Sequence, residues 1–237
     1  FLLVALWWLV WSLPLFVRVP DRIPVAPPSE GSVVVHLRVT WRRIRKNKPL
    51  FRFFIAYFLY NDGIATTIAF AGLYATQTLG FSAQETIVLI GGVQVAGAVG
   101  AFCLGHVADR LGHARTIMLT LVGWIALMVA AYLVTSPRAF WGVALGVGLV
   151  MGATQSASRG FLATVAGGLD GPAGELFGFK AVAGKFSAVL GPLLFGVVSE
   201  ATGDQRTALL AVGLFFVVGL ALMSRVNERR AIDVGLG

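Results

Sequence analysis

The apolar residues of this chain come in long blocks and not in short alternating runs. Windows of about 20 mainly apolar residues, the length with which a helix crosses a hydrocarbon core about 30 Å thick, occur at 53–77, 86–105, 116–134, 139–158, 181–199 and 207–224. A seventh apolar block covers 1–17. A segment in lipid must satisfy its own backbone hydrogen bonds, and the chain lacks the alternating strands typical of a barrel. The pattern therefore predicts an all-α membrane protein.

Composition strengthens this prediction. The 237 residues are 57% hydrophobic and only 13% charged, whereas a soluble domain has about 25% charged residues. The first residue is Phe, and the block 1–17 has neither the basic leader nor the small-residue cleavage site of a signal peptide. We therefore expect this block to be the end of a helix that begins further upstream.

Basic residues gather on one side of the predicted spans. The connection 18–52 holds nine of them (Arg18, Arg22, Arg38, Arg42, Arg43, Arg45, Lys46, Lys48 and Arg52), and the same side receives Arg110, Arg115, Arg159, Arg225, Arg229 and Arg230. The alternate connections hold only Arg138 and Arg206. Since Lys and Arg concentrate in cytoplasmic loops, the basic side is predicted to be cytoplasmic. These residues flank spans, so the net charge of +8 gives no reason to expect nucleic-acid binding.

The long connection suggests how the chain is organised. VPDRIPVAPPSEGS, at 19–32, is Pro-rich and typical of a turn-forming linker. In the basic stretch after it, Leu37, Trp41 and Ile44 recur at helical spacing, which fits either a helix lying on anionic lipid or a charged tether. We expect the end of one span at 1–17, a basic linker at 18–52, a six-helix bundle at 53–224 and a cytoplasmic tail at 225–237.

The sequence gives little support for a metal site, a cofactor site or a catalytic site. Cys103, His106, Asp109 and His113 lie close together in the sequence, as zinc ligands can, but another pattern explains these residues better. The chain has no nucleophile motif, paired catalytic carboxylates or phosphate-binding loop, and the G-x-G in GVALGVGLVMG follows no strand. We therefore predict neither an enzyme nor a bound cofactor.

That other pattern is GHVADRLGHAR, at 105–115. It resembles the G-x-x-x-D-R-x-G-R-[RK] loop that recurs between helices 8 and 9 of the major facilitator superfamily, with His113 in place of a basic residue. Gly105, Asp109, Arg110 and Gly112 stand at matching positions, and Arg115, one residue beyond the pattern, completes the predicted loop. The two glycines would allow a tight turn, and Asp109 would pair with the arginines and with a helix N-terminus. The predicted role is a gating loop on the cytoplasmic face.

Further stretches resemble the vacuole effluxer family, which comprises autophagy-related vacuolar permeases and bacterial relatives. They are FLYNDG, GATQSASRGF and LFGFKAVAGKFSAVLGPLLFG, and Gly160 stands where many relatives have a serine. The resemblance implies the end of helix 6 followed by helices 7–12 of a twelve-helix carrier that works by alternating access. It also implies amino acid export for fungal members, in the vacuolar membrane. For a bacterial member the expected location is the cell membrane.

An aspartate interrupts the apolar run of the first complete span, in YFLYNDGIATTIAF at 57–70. An ionised side chain at the bilayer centre costs about 2.5–3.5 kcal/mol by insertion scales, so Asp62 should face the bundle interior or a water-filled cavity. Asn61 is about 100° away on the helix, Tyr57 lies one turn before it, and Thr66 lies one turn after Asp62. This polar sector is either a site for a coupling ion, a substrate amine or a gating pair, or a structural brace between helices.

Basic and amide side chains in other spans are candidate partners of this sector. In the fifth span, Lys185 is the expected inward-facing cation, since Lys180 is about 140° away and nearer the cytoplasmic end. In the fourth span, Gln155, Ser158 and Arg159 share a stripe, although Arg159 also fits a simple cytoplasmic anchor.

Glycine and proline predict two features of the helices. Gly191-Pro192 should bend the fifth span. Gly142, Gly146 and Gly152 should permit close packing of the fourth.

Two classes of function remain open. A secondary transporter of small solutes is favoured, because a purely structural bundle can pack without charges. An amino acid exporter leads, and a carrier of sugars, drugs or lipids is the alternative. The other class is a non-transporting membrane protein that keeps the fold. The expected partners are a small-molecule substrate, membrane lipid and an N-terminal half of the same transporter.

Overall fold

The computed structural model describes residues 1–18, 33–168, 173–228 and 231. The Pro-rich stretch 19–32 of the linker predicted at 18–52, and most of the tail predicted at 225–237, lie outside these residues. The described residues form nine α-helices and no β-strand. The helices are α1 (Leu2–Arg18), α2 (Val33–Lys46), α3 (Lys48–Leu73), α4 (Ala83–Leu111), α5 (His113–Leu133), α6 (Pro137–Gly167), α7 (Ala173–Phe186), α8 (Leu190–Thr202) and α9 (Gln205–Met223).

The chain divides into two compact units, Phe1–His36 and Leu37–Gly237. The first unit contains α1, an apolar helix of 17 residues with Pro14 inside it. The second unit contains α3 to α9, which form the bundle described below.

All six predicted spans are confirmed. Six helical segments are long and apolar enough to cross a membrane: Lys48–Thr78, Ala83–Leu111, His113–Leu133, Pro137–Gly167, Gly174–Thr202 and Gln205–Met223. The first begins five residues before the predicted window, because the Asn47 side chain caps α3 by accepting a hydrogen bond from the Leu50 N–H at 3.0 Å. It ends in a π-helical turn, Tyr74–Thr78.

Helices that are distant in sequence pack in pairs. Within the second unit, α4 lies against α6, α3 lies against α9, and α5 contacts both α6 and α9. Large aromatic side chains fill the space between them. Trp124 of α5 stacks on Phe216 of α9 with ring centroids 4.8 Å apart, and Phe53 of α3 stacks on Phe161 of α6 at 4.3 Å. These contacts hold α3, which carries the polar sector, against the rest of the bundle.

The spans join at two ends. The basic end contains the start of α3, the turn between α4 and α5, and the end of α9. The far end contains the connections 79–82 and 134–136 and the turn before α9. At the far end the Gln205 side chain of α9 donates a hydrogen bond to Gln77 Oε1 at 3.0 Å.

Glycine lets α4 and α6 approach until their backbones touch. A Cβ on Gly152 would collide with the carbonyl oxygen of Gly97, so the packing role predicted for Gly152 is confirmed. A Cβ on Gly146 would lie 2.8 Å from the Leu127 side chain of α5, which confirms that prediction too. The prediction for Gly142 is wrong, since a Cβ there would meet nothing within 4 Å.

One face of α2 packs against the bundle. Thr40, Ile44 and Asn47 are spaced about one turn apart and are buried. Trp41 stacks on Phe179 of α7 with ring centroids 5.8 Å apart. Of the three apolar residues at helical spacing, Trp41 and Ile44 therefore contact the bundle, and the side chain of the third, at position 37, lies outside the described part.

The fifth span is broken. Helix α7 ends at Phe186, α8 begins at Leu190, and residues 187–189 form a turn between them. The predicted bend near Gly191-Pro192 is thus an interruption of the helix. A break leaves backbone donors and acceptors without partners inside the helix, and membrane proteins tolerate this only where other groups satisfy them.

Candidate functional site

The polar sector predicted on α3 is turned into the protein. Asp62 and Thr66 have no exposed surface, and Tyr57 is 5% exposed. Asn61 is half-buried. The expected placement of Asp62 inside the bundle is therefore what the structure shows. Its role as an ion or substrate site stays a prediction.

Asp62 caps α8 from a different helix. Val189 precedes α8 and offers no side-chain cap. Instead the N–H of Gly191, the second residue of α8, donates a hydrogen bond to Asp62 Oδ2 at 2.8 Å. The N-terminus of a helix carries a partial positive charge, which stabilises a carboxylate placed there. Asp62 thus satisfies a donor that the break would otherwise leave unpaired.

The other oxygen of Asp62 has no partner. Asp62 Oδ1 and the Thr66 hydroxyl oxygen are both buried, and neither makes a hydrogen bond. Both atoms border the same side of Gly191, where an added Cβ would lie 2.8 Å from Asp62 Oδ1 and would collide with Thr66 Oγ1. Only glycine at position 191 leaves room for this arrangement.

Asn61 joins three helices. Its side-chain amide donates to the Ser187 hydroxyl at 2.7 Å and to the Gly184 carbonyl at 3.4 Å, both next to the break after α7. The Gln155 amide of α6 lies 3.5 Å from Asn61 Oδ1 and donates to it. We call Asn61, Gln155 and Ser187 the amide bridge. Sequence reasoning nominated Asn61 and Gln155 but missed Ser187, whose signal was a hydroxyl within an apolar span two residues after a lysine.

The two lysines of α7 lie in different environments. Lys185, the expected inward-facing cation, is exposed and makes no contact with Asp62, so this structure does not contain the proposed Asp62–Lys185 brace. Lys180 is instead 8% exposed, with its Nζ 4.7 Å from the centroid of the Tyr57 ring. The rotation of α7 explains why Lys180 is buried and Lys185 is exposed, because Lys180 lies on the same buried face as Leu176 and Ser187.

The stripe on α6 is divided between two environments. Ser158 is buried and shares a hydrogen bond of 2.8 Å with the Tyr60 hydroxyl of α3, a contact the sequence analysis missed. Arg159 is exposed, as an anchor at the basic end would be. Tyr60 follows Tyr57 by three residues, so its helical spacing was the signal that could have identified it.

Only part of the predicted gating loop is arranged as expected. Gly112 has φ +88°, which confirms the tight turn there, whereas Gly105 lies inside α4 and forms no turn. Asp109, Arg110 and Arg115 are exposed. The prediction that Asp109 pairs with the arginines and with a helix N-terminus is wrong in this structure.

The N-terminus of α5 is occupied by a residue from beyond α9. The carboxylate of Glu228 accepts a hydrogen bond from the Ala114 N–H at 3.0 Å. Glu228 thus takes the place that the sequence assigned to Asp109. Asp109 is left free for contacts outside this bundle.

His113 and Gly160, the two positions noted above as differing from the resembled motifs, lie against each other. A Cβ on Gly160 of α6 would overlap the His113 ring, 2.5 Å from Nδ1. That nitrogen is buried and has no hydrogen-bond partner. Because residue 160 is glycine and has no side chain, there is room for the His113 imidazole. Across the described ranges, no three His, Cys, Asp or Glu side chains form a group that could hold a metal ion.

Comparisons with known proteins agree on one family. The family described as vacuole effluxer Atg22 like matches residues 1–234. The uncharacterized MFS-type transporter YxiO of Bacillus subtilis is 30% identical over 99% of this chain and 54% of its own length. Autophagy-related protein 22-1 of Aspergillus fumigatus is 27% identical over 96% of this chain and 42% of its own length. The chain thus spans about half the length of these curated relatives.

A solved structure shows the same fold. The Escherichia coli fucose:proton symporter FucP superposes with a TM-score of 0.70 over 92% of this chain and 52% of its own. The sequences are 16% identical, so this likeness concerns the fold alone. The predicted fold, a six-helix half of a major facilitator transporter, is confirmed, and the chain is a multi-pass membrane protein.

Proposed function

Because the chain belongs to the vacuole effluxer Atg22-like family, we propose that it supplies six spans of a secondary transporter for a small polar solute. The observation that carries the proposal is the amide bridge, which links α3, α6 and α7 beside the break in the fifth span. Polar groups within a membrane bundle are costly and mark solute or ion pathways. Irregular backbone at membrane depth is tolerated where it is buried in protein or lines a cavity.

We propose that the solute is an amino acid, because the amide bridge offers hydrogen bonds and Lys180 offers a positive charge. The half-buried amides of Asn61 and Gln155 offer donors and acceptors to a polar ligand. Lys180 is largely buried and has no acidic partner in the described part of the chain, so a substrate carboxylate would compensate its charge. Asp62 is enclosed and bonded to Gly191, so we assign it no contact with substrate.

The direction of transport is part of this proposal. The family's description names an effluxer, and we propose export driven by alternating exposure of the bridge to the two sides of the membrane. The proposed partners are the solute, the surrounding lipid and the N-terminal half of the same transporter. A carrier of sugars, drugs or lipids is the alternative that the following experiment separates.

The test is solute exchange by the complete transporter reconstituted in liposomes. Each of the twenty protein amino acids, radiolabelled, is offered outside vesicles loaded with the same unlabelled amino acid, and sugars are offered in parallel. We expect exchange of at least one amino acid. Replacing Gln155 by Ala should lower it about tenfold, because a hydrogen bond to a charged group is worth about 1.5–3 kcal/mol. Gln77→Ala, which removes a polar contact only at the far end, should leave exchange unchanged.

Two results would contradict the proposal. Exchange of sugars but of no amino acid would refute the substrate class and leave transport intact. Absence of exchange for every solute, with correctly inserted protein, would refute transport and favour the non-transporting class.

A further inference from the structure

One carboxylate in this bundle is enclosed and only half satisfied. Asp62 has no exposed surface, and its Oδ2 accepts one hydrogen bond, from Gly191. Its Oδ1 is buried without a partner, and the same is true of the Thr66 hydroxyl one turn along α3. Buried polar atoms are nearly always paired, so two unpaired oxygens at one place call for an explanation.

The two oxygens lie together in the space beside Gly191. An added Cβ on Gly191 would lie 2.8 Å from Asp62 Oδ1 and would collide with Thr66 Oγ1. A single hydrogen shared between the oxygens would satisfy both. When Asp62 is ionised, the Thr66 O–H can donate to Oδ1. When Asp62 is protonated, its own O–H can donate to Thr66.

A metal cation fits this space less well than a proton. Calcium and magnesium take six or more oxygen ligands, whereas this space offers two oxygens. The third neighbouring group is the Gly191 N–H, a donor at the positive end of α8, and it opposes a cation. A proton needs only one acceptor and leaves no charge once it is bound to the carboxylate.

None of the surrounding charges neutralises Asp62. The packed helices α3, α6 and α7 carry Tyr57, Tyr60, Arg159, Lys180 and Lys185, and none of these bonds to Asp62 in the described structure. Helices α8 and α9 carry charged residues only near the far end, at Glu200 and Arg206. The hydrogen bond from Gly191 is therefore the main interaction that a change of charge on Asp62 would alter.

We propose that Asp62 and Thr66 form a proton-binding site that is coupled to the break between α7 and α8. A proton from water binds Asp62 Oδ1, forms an O–H bond and removes the negative charge; its release restores the carboxylate. Hydrogen bonds to a charged acceptor are roughly twice as strong as neutral ones. Protonation therefore weakens the attachment of α8 to α3, while Asn61 continues to hold the α7 side of the break.

This assignment rests on the proposed transport function, in which the proton is the coupling ion. Proton binding itself is independent of any substrate. It can therefore be measured on the purified complete transporter even when no solute is known.

The first experiment is infrared difference spectroscopy of that protein in lipid as a function of pH. We expect a titrating C=O band of a protonated carboxyl group that disappears in Asp62→Asn. Thr66→Val should shift the band, since it removes the hydroxyl at nearly constant shape, and Thr66→Ser should restore it. Thr67→Val is the matched control: Thr67 is also buried, but its hydroxyl donates to Gly63 within α3. This variant should leave the band in place.

The outcomes separate clearly. A titrating band that persists in Asp62→Asn would overturn the site, and so would an Asp62 band that Thr66→Val and Thr67→Val affect equally. A band that disappears when a metal salt is added at constant pH would assign the space to a cation instead. If no solute is exchanged but the Asp62 band responds as expected, the proton site stands and the transport proposal falls.

A second experiment addresses coupling. Hydrogen exchange of the peptide that contains Gly191, corrected for the intrinsic effect of pH, should be faster when Asp62 is protonated. In Asp62→Asn, which mimics the protonated side chain, exchange should be fast at every pH. Slow hydrogen exchange in that variant would overturn the link between Asp62 and the break. So would hydrogen exchange in the wild type that does not depend on pH after this correction.

Discussion

Asn61 and Asp62, neighbours in sequence, attach α3 to opposite sides of the break between α7 and α8. Successive residues of a helix point about 100° apart, so the two reach different partners. Asn61 donates to Ser187 on the α7 side of the break, and Asp62 accepts from Gly191 on the α8 side. A change at either residue therefore acts on one side of the break, which makes the pair suited to control it.

His113 and Gly160 provide the sharpest prediction at the scale of single residues. In a helix, Gly→Ala normally stabilises by about 1 kcal/mol. At Gly160 the new methyl group would overlap the His113 ring, and overpacking costs about 1–3 kcal/mol. We expect Gly160→Ala to lower the apparent Tm of the complete protein in detergent. In a His113→Ala background, the same change should leave Tm unaltered or raise it.

The matched control is Gly167→Ala at the end of the same helix, where a Cβ would meet nothing within 4 Å. It should leave Tm unchanged or raise it with either residue at 113. Equal effects of Gly160→Ala in the two backgrounds would show that the ring and the glycine are not coupled.

Residue chemistry predicted part of the site and could not predict the rest. A polar pair in an apolar span is costly, so Asn61 and Asp62 were visible in the sequence. The partner of Asp62 was not, because Gly191 contributes only a backbone N–H, which every residue but proline possesses. Which of Lys180 and Lys185 is buried could not be predicted, because the rotation of α7 depends on tertiary packing, which no local pattern reveals.

At the scale of elements, the ends of the helices depend on single caps. Asp204 precedes α9; its Oδ1 accepts from the Arg206 N–H at 3.0 Å, and its Oδ2 accepts from the Thr207 N–H at 3.1 Å. The hydroxyl of Thr207 donates to the same carboxylate at 2.7 Å. This hydroxyl bond, followed by the backbone bond from Arg206, lowers the pKa of Asp204 below its ordinary value.

Removing this cap gives a prediction with a defined pH dependence. Asp204→Ala should destabilise the protein by about 1 kcal/mol, which lowers Tm by about 2–4 °C. A carboxyl whose folded pKa is lowered stabilises fully above its unfolded pKa of about 3.9, and this contribution is lost as pH falls through the lowered value. The Tm difference between wild type and variant should thus be constant from neutral pH to about pH 5 and shrink in stronger acid.

Asp204→Ser is the control for this prediction, since serine keeps an oxygen acceptor at the cap. It should retain most of the stability, with no shrinkage in acid. A difference that grew as the pH fell would contradict the assigned sign.

The hydrophobic pattern predicted the spans better than their interruptions. Six long apolar windows suffice to identify six helices, because lipid imposes both length and internal hydrogen bonding. The early start of α3 followed from one capping side chain, Asn47, and the break in the fifth span covers residues 187–189, just before the predicted Gly-Pro bend. Such local features depend on partners in other helices.

At the scale of the whole molecule, the two ends of the bundle differ in charge and in contacts. At the basic end, Arg52 donates to the Arg225 carbonyl at 3.2 Å, and Asn47 donates to the Ala231 carbonyl at 2.8 Å. The start of α3 and the residue before it are thus tied there to residues that follow α9. Asp109 makes no hydrogen bond or ion pair within the described bundle, so the gating role predicted for it requires a partner elsewhere in the transporter.

The distribution of charge predicts the orientation of the bundle, with the basic end in the cytoplasm. Single cysteines at two exposed positions test this in the complete transporter after Cys103, which is exposed, is replaced by Ser. Thr135→Cys reports on the far end and Ser224→Cys on the basic end. In intact cells, or in intact vacuoles for a fungal protein, a membrane-impermeant maleimide should label the two cysteines from opposite sides of the membrane. For a bacterial protein, Thr135→Cys should react from outside and Ser224→Cys only after lysis. The reverse pattern would invert the bundle, and equal labelling from outside would mean that an odd number of the three spans between the two positions fails to cross.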